Sequence, residues 1–145
     1  MKNTINIRCR KCHYEKDFYL GVGLIHSGAP DFDSEYAVIP KLMESSEMLE
    51  SARHMVNDEG GCFESDYQKG LYICPVCGAF HKRFVYTIRW DDGQIYTPEY
   101  RCTCGAILIY QDLDHFEVSD HVCPECGYHS LYEGVSQFSP LENEE

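Results

Sequence analysis

The chain has 145 residues, a formal charge of −12 and nine cysteines. That length suffices for one ordinary domain or two very small ones, and no apolar run approaches the roughly 20 residues of a membrane-spanning helix. The N-terminus carries no apolar signal segment, so a cytoplasmic protein is the expectation, and the net charge argues against a surface given over as a whole to nucleic acid.

In chain order, residues 5–8 and 18–20 read as strands flanking a first close cysteine pair, Cys9 and Cys12. The glycines of LGVG (20–23) weaken the second strand and suggest a bend. HSGAPDFDSE (26–35) reads as a loop. A helix fits 37–57, with Ser34 as a possible cap, Pro40 tolerated in the first turn and Gly60-Gly61 as the stop. Val38, Leu42, Leu49, Ala52 and Val56 recur on one face, interrupted at Ser45, and that stripe is expected to pack on the cysteine-bearing strands rather than to form a free groove for a partner. Cys62 stands alone in GGCFES. Its acidic neighbours Glu59, Glu64 and Asp66 disfavour a reactive thiolate, so a buried or incidental thiol is expected there.

After the second pair, Cys74 and Cys77, residues 84–90 form the strongest strand. Asp91-Asp92-Gly93 marks a hairpin turn, and 94–97 form the return strand. The third pair is Cys102 and Cys104. The interval to the fourth pair, Cys123 and Cys126, reads as two short strands around a turn at 112–114. A last strand is expected over 130–133. SPLENEE closes an acidic tail, 136–145, expected to be frayed.

Charge is uneven along this order. Residues 1–23 hold five Lys/Arg against two Asp/Glu, and 24–70 hold three against ten. Residues 71–105 hold four against three, and 106–145 hold none against nine.

Eight of nine cysteines thus fall into four close pairs, the number needed for two tetrahedral metal sites. Disulfides are uncommon in a reducing cytosol, and a thioredoxin-type redox pair needs only one Cys-x-x-Cys at a strand–helix junction. In CPVCG (74–78) and CPECG (123–127), proline fixes φ early in the turn, and glycine permits the positive φ that turns the chain back. Cys102-Thr103-Cys104-Gly105 is tighter by one residue. CRKCHY (9–14) lacks proline and glycine. His13 stands where the glycine would be and is read as an exposed neighbour rather than a ligand.

Proximity along the chain favours Cys102, Cys104, Cys123 and Cys126 as one site, since 18 residues separate Cys104 from Cys123. Cys9, Cys12, Cys74 and Cys77 are then the other. The alternative pairs Cys74/Cys77 with Cys102/Cys104 and forces the first and last turns together; it is ranked second because chains usually complete neighbouring units first.

The CPxCG turns, short strands and paired spacing resemble the zinc-ribbon family within the wider rubredoxin-like group. The resemblance implies a small β-rich, metal-stabilised α+β fold of two ribbons of short antiparallel strands. The expected division is a first ribbon of 1–25 plus 70–100, a loop-and-helix insertion over 26–69, a second ribbon over 101–135 and the tail. The resemblance implies eight thiolate ligands, two Zn²⁺ ions with iron as the competitor, and no catalytic residue.

Three functions are weighed on this basis. A protein–protein interaction adaptor or regulator would offer its acidic surface to a partner with a basic one. A transcription-related nucleic-acid binder would use Arg8, Arg10, Lys11, Lys82 and Arg83, with Tyr14, Phe80, Phe84 and Trp90 for stacking. Those cations could instead simply neutralise the metal–thiolate charge. Rubredoxin-like electron transfer or a thiol redox switch is the third. The first, non-enzymatic, reading is preferred, because no Ser/His/Asp order, phosphate loop or HExxH-type motif is present.

Overall fold

A computed structural model describes residues 4–20, 39–64 and 66–135. Its elements are β1 (Thr4–Cys9), β2 (Glu15–Tyr19), α1 (Ile39–Leu42), α2 (Ser46–Asn57), β3 (Cys62–Phe63) and β4 (Gln68–Ile73). They are followed by β5 (Phe80–Val85), β6 (Ile88–Arg89), β7 (Ile95–Tyr96), β8 (Ile109–Gln111) and β9 (Leu131–Gly134). The strands form three small sheets, ordered β2-β1-β9, β3-β6-β7 and β5-β4-β8. This is a small β-rich fold with short helices. The expected loop at 26–35, the Ser34 cap, Val38 and the tail at 136–145 lie outside the described residues.

The described chain divides into two compact units, one of 4–20, 70–83 and 99–135, the other of 39–64, 66–69 and 84–98. In the first, β1 lies between its antiparallel partners β2 and β9, with Ile7 opposite Lys16 on one side and Glu133 on the other. Alternation along TINIRC sends Ile5, Ile7 and Cys9 to the core, where they meet Phe18, Leu71, Phe80 and Leu131. Asn6 points to the opposite face and is nonetheless buried. Its amide donates to Asp17 (2.7 Å) and Glu15 (3.2 Å), and its carbonyl oxygen accepts from Arg8 Nε (2.8 Å). Arg8 also pairs with Glu15 at 2.9 Å, so this polar network ties β1 to β2.

Residues 106–122 do not make the expected pair of strands. Only β8 forms, and it pairs with β4, matching Leu71 to Gln111 and Ile73 to Ile109. The chain then turns at 112–115, where the His115 N–H donates to the Asp112 carbonyl, and makes a single 3-10 turn, Val118–Asp120. Strand β4 was not anticipated. QKGLYI carries a lysine and a glycine among its apolar residues, which hides the strand pattern, yet Gly70, Leu71, Tyr72 and Ile73 are all buried.

The second unit is organised by Phe84, Tyr86 and Ile88. These pack with Ile39, Leu42 and Ala52 in one buried cluster, against which Met48, Leu49, Met55 and Val56 are partly buried. The apolar helix stripe therefore packs on the strand residues at 84–88. The expected single helix is split, because Ser45 caps a new one: its Oγ accepts the Met48 N–H at 3.2 Å in extended backbone. After Asn57, Gly60 takes φ 79° and the Gly61 N–H returns to the Met55 carbonyl at 2.9 Å, ending α2. The Asp91-Asp92-Gly93 hairpin forms as expected, matching Arg89 to Ile95. The strong strand at 84–90 is interrupted at Tyr86-Thr87, giving β5 and β6.

Phe84 is fully buried, with ring centres 5.1 Å from Tyr86 and 5.9 Å from Tyr67. Phe84→Ala should destabilise this unit by about 3–5 kcal/mol, the usual loss for a buried aromatic cut to alanine. Trp90, the sole tryptophan, packs on the same cluster, so its fluorescence during urea unfolding measures the loss. A change under ~1 kcal/mol would contradict the packing described.

Candidate metal centres

Each cysteine pair sits in a tight turn whose closure follows from its length. The Cys9, Cys74 and Cys123 N–H groups each donate to the carbonyl five residues on, at Tyr14 (3.1 Å), Ala79 (2.9 Å) and Tyr128 (3.0 Å). The Cys102 N–H reaches Ala106 at 2.8 Å, one residue sooner, because this turn has one residue fewer between its cysteines. Gly78, Gly105 and Gly127 lie at φ 78°, 95° and 79°, and their N–H groups return to the carbonyl of each turn's first cysteine at 2.8–3.0 Å. The first turn closes with no left-handed residue, which is why His13 is accommodated where glycine stands elsewhere. His13 is exposed and belongs to neither cysteine group.

The turns converge in two sets. Cys9, Cys12, Cys123 and Cys126 form one, and Cys74, Cys77, Cys102 and Cys104 the other, each with all four sulfurs within 4.8 Å of one another. This corrects the pairing favoured from chain proximity and takes its alternative. The cause is strand pairing. β9 pairs with β1, setting Leu131 opposite Cys9 and Tyr132 opposite Arg8, which carries the last turn to the first. The Arg10 N–H donates to Ser130 O at 2.9 Å and seals the junction. β8 likewise pairs with β4 and brings the Cys102–Cys104 turn to the Cys74–Cys77 turn. All eight cysteines fall in the first unit.

The spacing fits a tetrahedral ion. Sulfurs on facing turns are 3.6 Å apart at Cys9–Cys126 and Cys12–Cys123, and 3.5 Å apart at Cys74–Cys104 and Cys77–Cys102. A tetrahedron with metal–sulfur bonds of about 2.3 Å has edges of about 3.8 Å. A disulfide would need about 2.05 Å.

Backbone donors stabilise negative sulfur. Lys11 N–H points at Cys9 Sγ (3.3 Å), Tyr14 N–H at Cys12 Sγ (3.4 Å) and Cys77 N–H at Cys74 Sγ (3.4 Å). Burial pulls the Cys9 thiol up, but hydrogen bonds from the Ser130 hydroxyl and the Lys11 and Cys12 N–H groups bring it down to about 6. The Cys77 N–H is the main cause holding Cys74 at about 6. Their neighbours move the other way. The Tyr14 N–H favours a Cys12 thiolate, yet burial and the adjoining sulfurs push it up to about 12. The Ala79 N–H favours a Cys77 thiolate, yet Cys102 and Cys74 push it up to about 11. Four sulfurs this close cannot all ionise unless a cation joins them.

The five cations considered from sequence have different immediate neighbours. Arg8 is held by Asn6 and Glu15. Arg10 lies over the Tyr132 ring at 4.2 Å and Lys11 over Tyr128 at 5.8 Å, both beside the first cysteine set. Lys82 and Arg83 stand on β5, which follows a turn of the other set. Of the proposed stacking residues, Phe80 and Phe84 are buried, and the Trp90 indole N–H donates to Glu59 O at 3.1 Å. Tyr128 and Tyr132, overlooked in the sequence, are the rings that Lys11 and Arg10 meet. Only the pairing of β1 with β9 places them there.

Cys62 is exposed on β3 opposite Arg89 and joins neither set. Among the described residues, no helix is long and apolar enough to cross a membrane. Comparison with protein-family models, with curated proteins and with solved structures finds no match to this chain.

Proposed function

We propose that both cysteine sets hold structural zinc and that the protein is a non-enzymatic cytoplasmic adaptor or regulator that binds a partner protein with a basic surface. The observation that carries the reading is closure. Each set supplies four sulfurs from two facing turns, a complete tetrahedral shell that leaves no position for substrate or reactive water. Zinc is preferred to iron because there are two centres and one is built on Cys-x-Cys, which departs from the single-iron rubredoxin pattern.

The surface supports binding to protein. Val76, Ile107 and Ile109 are exposed on and beside the turns of the second set. The stretch 106–135, which carries Ile107 and Ile109, holds Asp112, Asp114, Glu117, Asp120, Glu125 and Glu133 and no lysine or arginine. Acidic groups on the same stretch of chain as exposed apolar side chains suit a partner that offers both basic and apolar groups, with association steered by charge.

Native against denatured mass spectrometry should give two zinc ions per chain. A partner captured from lysate, then purified, should bind directly with an affinity that falls as salt rises, and Val76→Asp should weaken it. Recovery of background proteins alone, or binding indifferent to salt and to Val76→Asp, rejects the adaptor reading.

A nucleic-acid reading draws on Arg10, Lys11, Tyr128 and Tyr132. It is the weaker one, because a filled four-thiolate zinc centre carries a charge of about −2, which Arg10 and Lys11 offset. A salt-dependent shift of single-stranded RNA that disappears in an Arg10→Glu/Lys11→Glu variant would reverse this order.

A further inference from the structure

The two cysteine sets differ in how they meet solvent. Cys77 and Cys104 are exposed, one on each turn of their set, while Cys74 and Cys102 are buried. In the other set, Cys9 and Cys123 are buried and Cys12 and Cys126 half-buried. A second, independent difference lies in the packing. Cys9 and Cys123 belong to the buried cluster of Ile5, Ile7, Phe18 and Leu131, and Cys12 and Cys126 pack against it. None of Cys74, Cys77, Cys102 and Cys104 belongs to that cluster.

We propose that the Cys74/Cys77/Cys102/Cys104 centre is a site of oxidative modification and metal release by hydroperoxides, while the Cys9/Cys12/Cys123/Cys126 centre stays closed. This rests on the zinc reading given above. A zinc-bound thiolate keeps nucleophilic character, and access then decides which sulfur reacts. Peroxide can reach Cys77 or Cys104 without the fold opening. In the other set it meets first Cys12 and Cys126, which are half-buried and packed against the apolar cluster, and to reach Cys9 or Cys123 it must wait for β1, β9 and their apolar neighbours to separate.

The chemistry balances with hydrogen peroxide as oxidant. The exposed thiolate attacks one peroxide oxygen and the O–O bond breaks. The sulfur gains an O–H, giving a sulfenic acid, and hydroxide leaves. Sulfur has lost two electrons and peroxide has gained them. A thiolate on the facing turn, 3.5 Å away (Cys102 for Cys77, Cys74 for Cys104), then attacks that sulfur. A disulfide forms and a second hydroxide leaves. In sum, two thiolates, one hydrogen peroxide and two protons give one disulfide and two waters. The two remaining sulfurs no longer complete a shell, and zinc departs. A thiol reductant reverses the disulfide and restores the site.

The test uses the full-length, zinc-loaded protein carrying Cys62→Ser, which removes an exposed thiol that would consume oxidant on its own. Zinc is counted by native mass spectrometry before treatment. Hydrogen peroxide is then added with a chromogenic zinc chelator, and cysteines are alkylated and mapped at half-release. The first zinc equivalent should leave at least about tenfold faster than the second. At that point disulfides should lie among Cys74, Cys77, Cys102 and Cys104, with the other four still protected from alkylation. Loss of both equivalents at one rate, or earlier oxidation of Cys9, Cys12, Cys123 or Cys126, overturns the inference and leaves the zinc reading standing. A chain that holds fewer than two zinc ions at the outset overturns the zinc reading, and this inference with it.

Discussion

Removal of both metal ions is expected to unfold the unit made of 4–20, 70–83 and 99–135. Its described strands run only three to six residues, and its buried cluster includes Cys9 and Cys123 themselves. A structural zinc in small peptides contributes roughly 10–16 kcal/mol of apparent binding energy, whereas a whole domain is stable by only about 5–15 kcal/mol. Two such ions therefore outweigh what this core could supply alone. Hydrogen exchange resolves the result by element. Amides of β1, β4, β8 and β9 should lose protection when a strong chelator strips the metal and regain it when zinc is returned. Protection that survives complete removal of the metal would mean that apolar packing alone holds the unit, and the structural role of zinc would be lost.

Paired cysteine substitutions should separate the two possible groupings by whole ions. Cys9→Ala/Cys123→Ala damages one set twice, so one zinc per chain should remain in native mass spectra. Cys74→Ala/Cys102→Ala should likewise leave one. Cys9→Ala/Cys74→Ala damages both sets and should leave none. The grouping expected from chain proximity predicts the reverse for all three variants, with none retained by Cys9→Ala/Cys123→Ala or Cys74→Ala/Cys102→Ala and one by Cys9→Ala/Cys74→Ala. Three shared ligands bind zinc much more weakly than four, so the counts remain distinct even when binding is not abolished outright.

The turn chemistry was legible residue by residue. CPVCG and CPECG need a proline-set φ and a glycine at positive φ, and the structure has Gly78 and Gly127 at 78° and 79°. The Asp91-Asp92-Gly93 hairpin was equally local, with Gly93 at 90°. Ser45 was visible as a break in the apolar stripe, though not as the cap of a separate helix. β4 was not legible, because a strand covered on both faces shows no alternation and a lysine and a glycine dilute its apolar content. The end of β5 and the whole of β6 read as one strand, 84–90, because the break at Tyr86-Thr87 contains only good strand formers, and the start of β5 at 80–83 was not legible.

The sequence by itself therefore determined that eight cysteines sit in four turns able to present two sulfurs each, since turn geometry is settled by neighbours along the chain. It also determined that the C-terminal third is acidic, since no lysine or arginine follows Arg101. Only the tertiary structure decided which turns face each other. β1 gains more by pairing with β9 across the length of the chain, burying Ile5, Ile7 and Leu131, than proximity alone would suggest. The cost of closing a long loop grows only slowly with its length, by about 0.6 kcal/mol per doubling, so burial of a few apolar side chains overrides it. The same pairing sinks one cysteine set into the core and leaves Cys77 and Cys104 of the other at the surface.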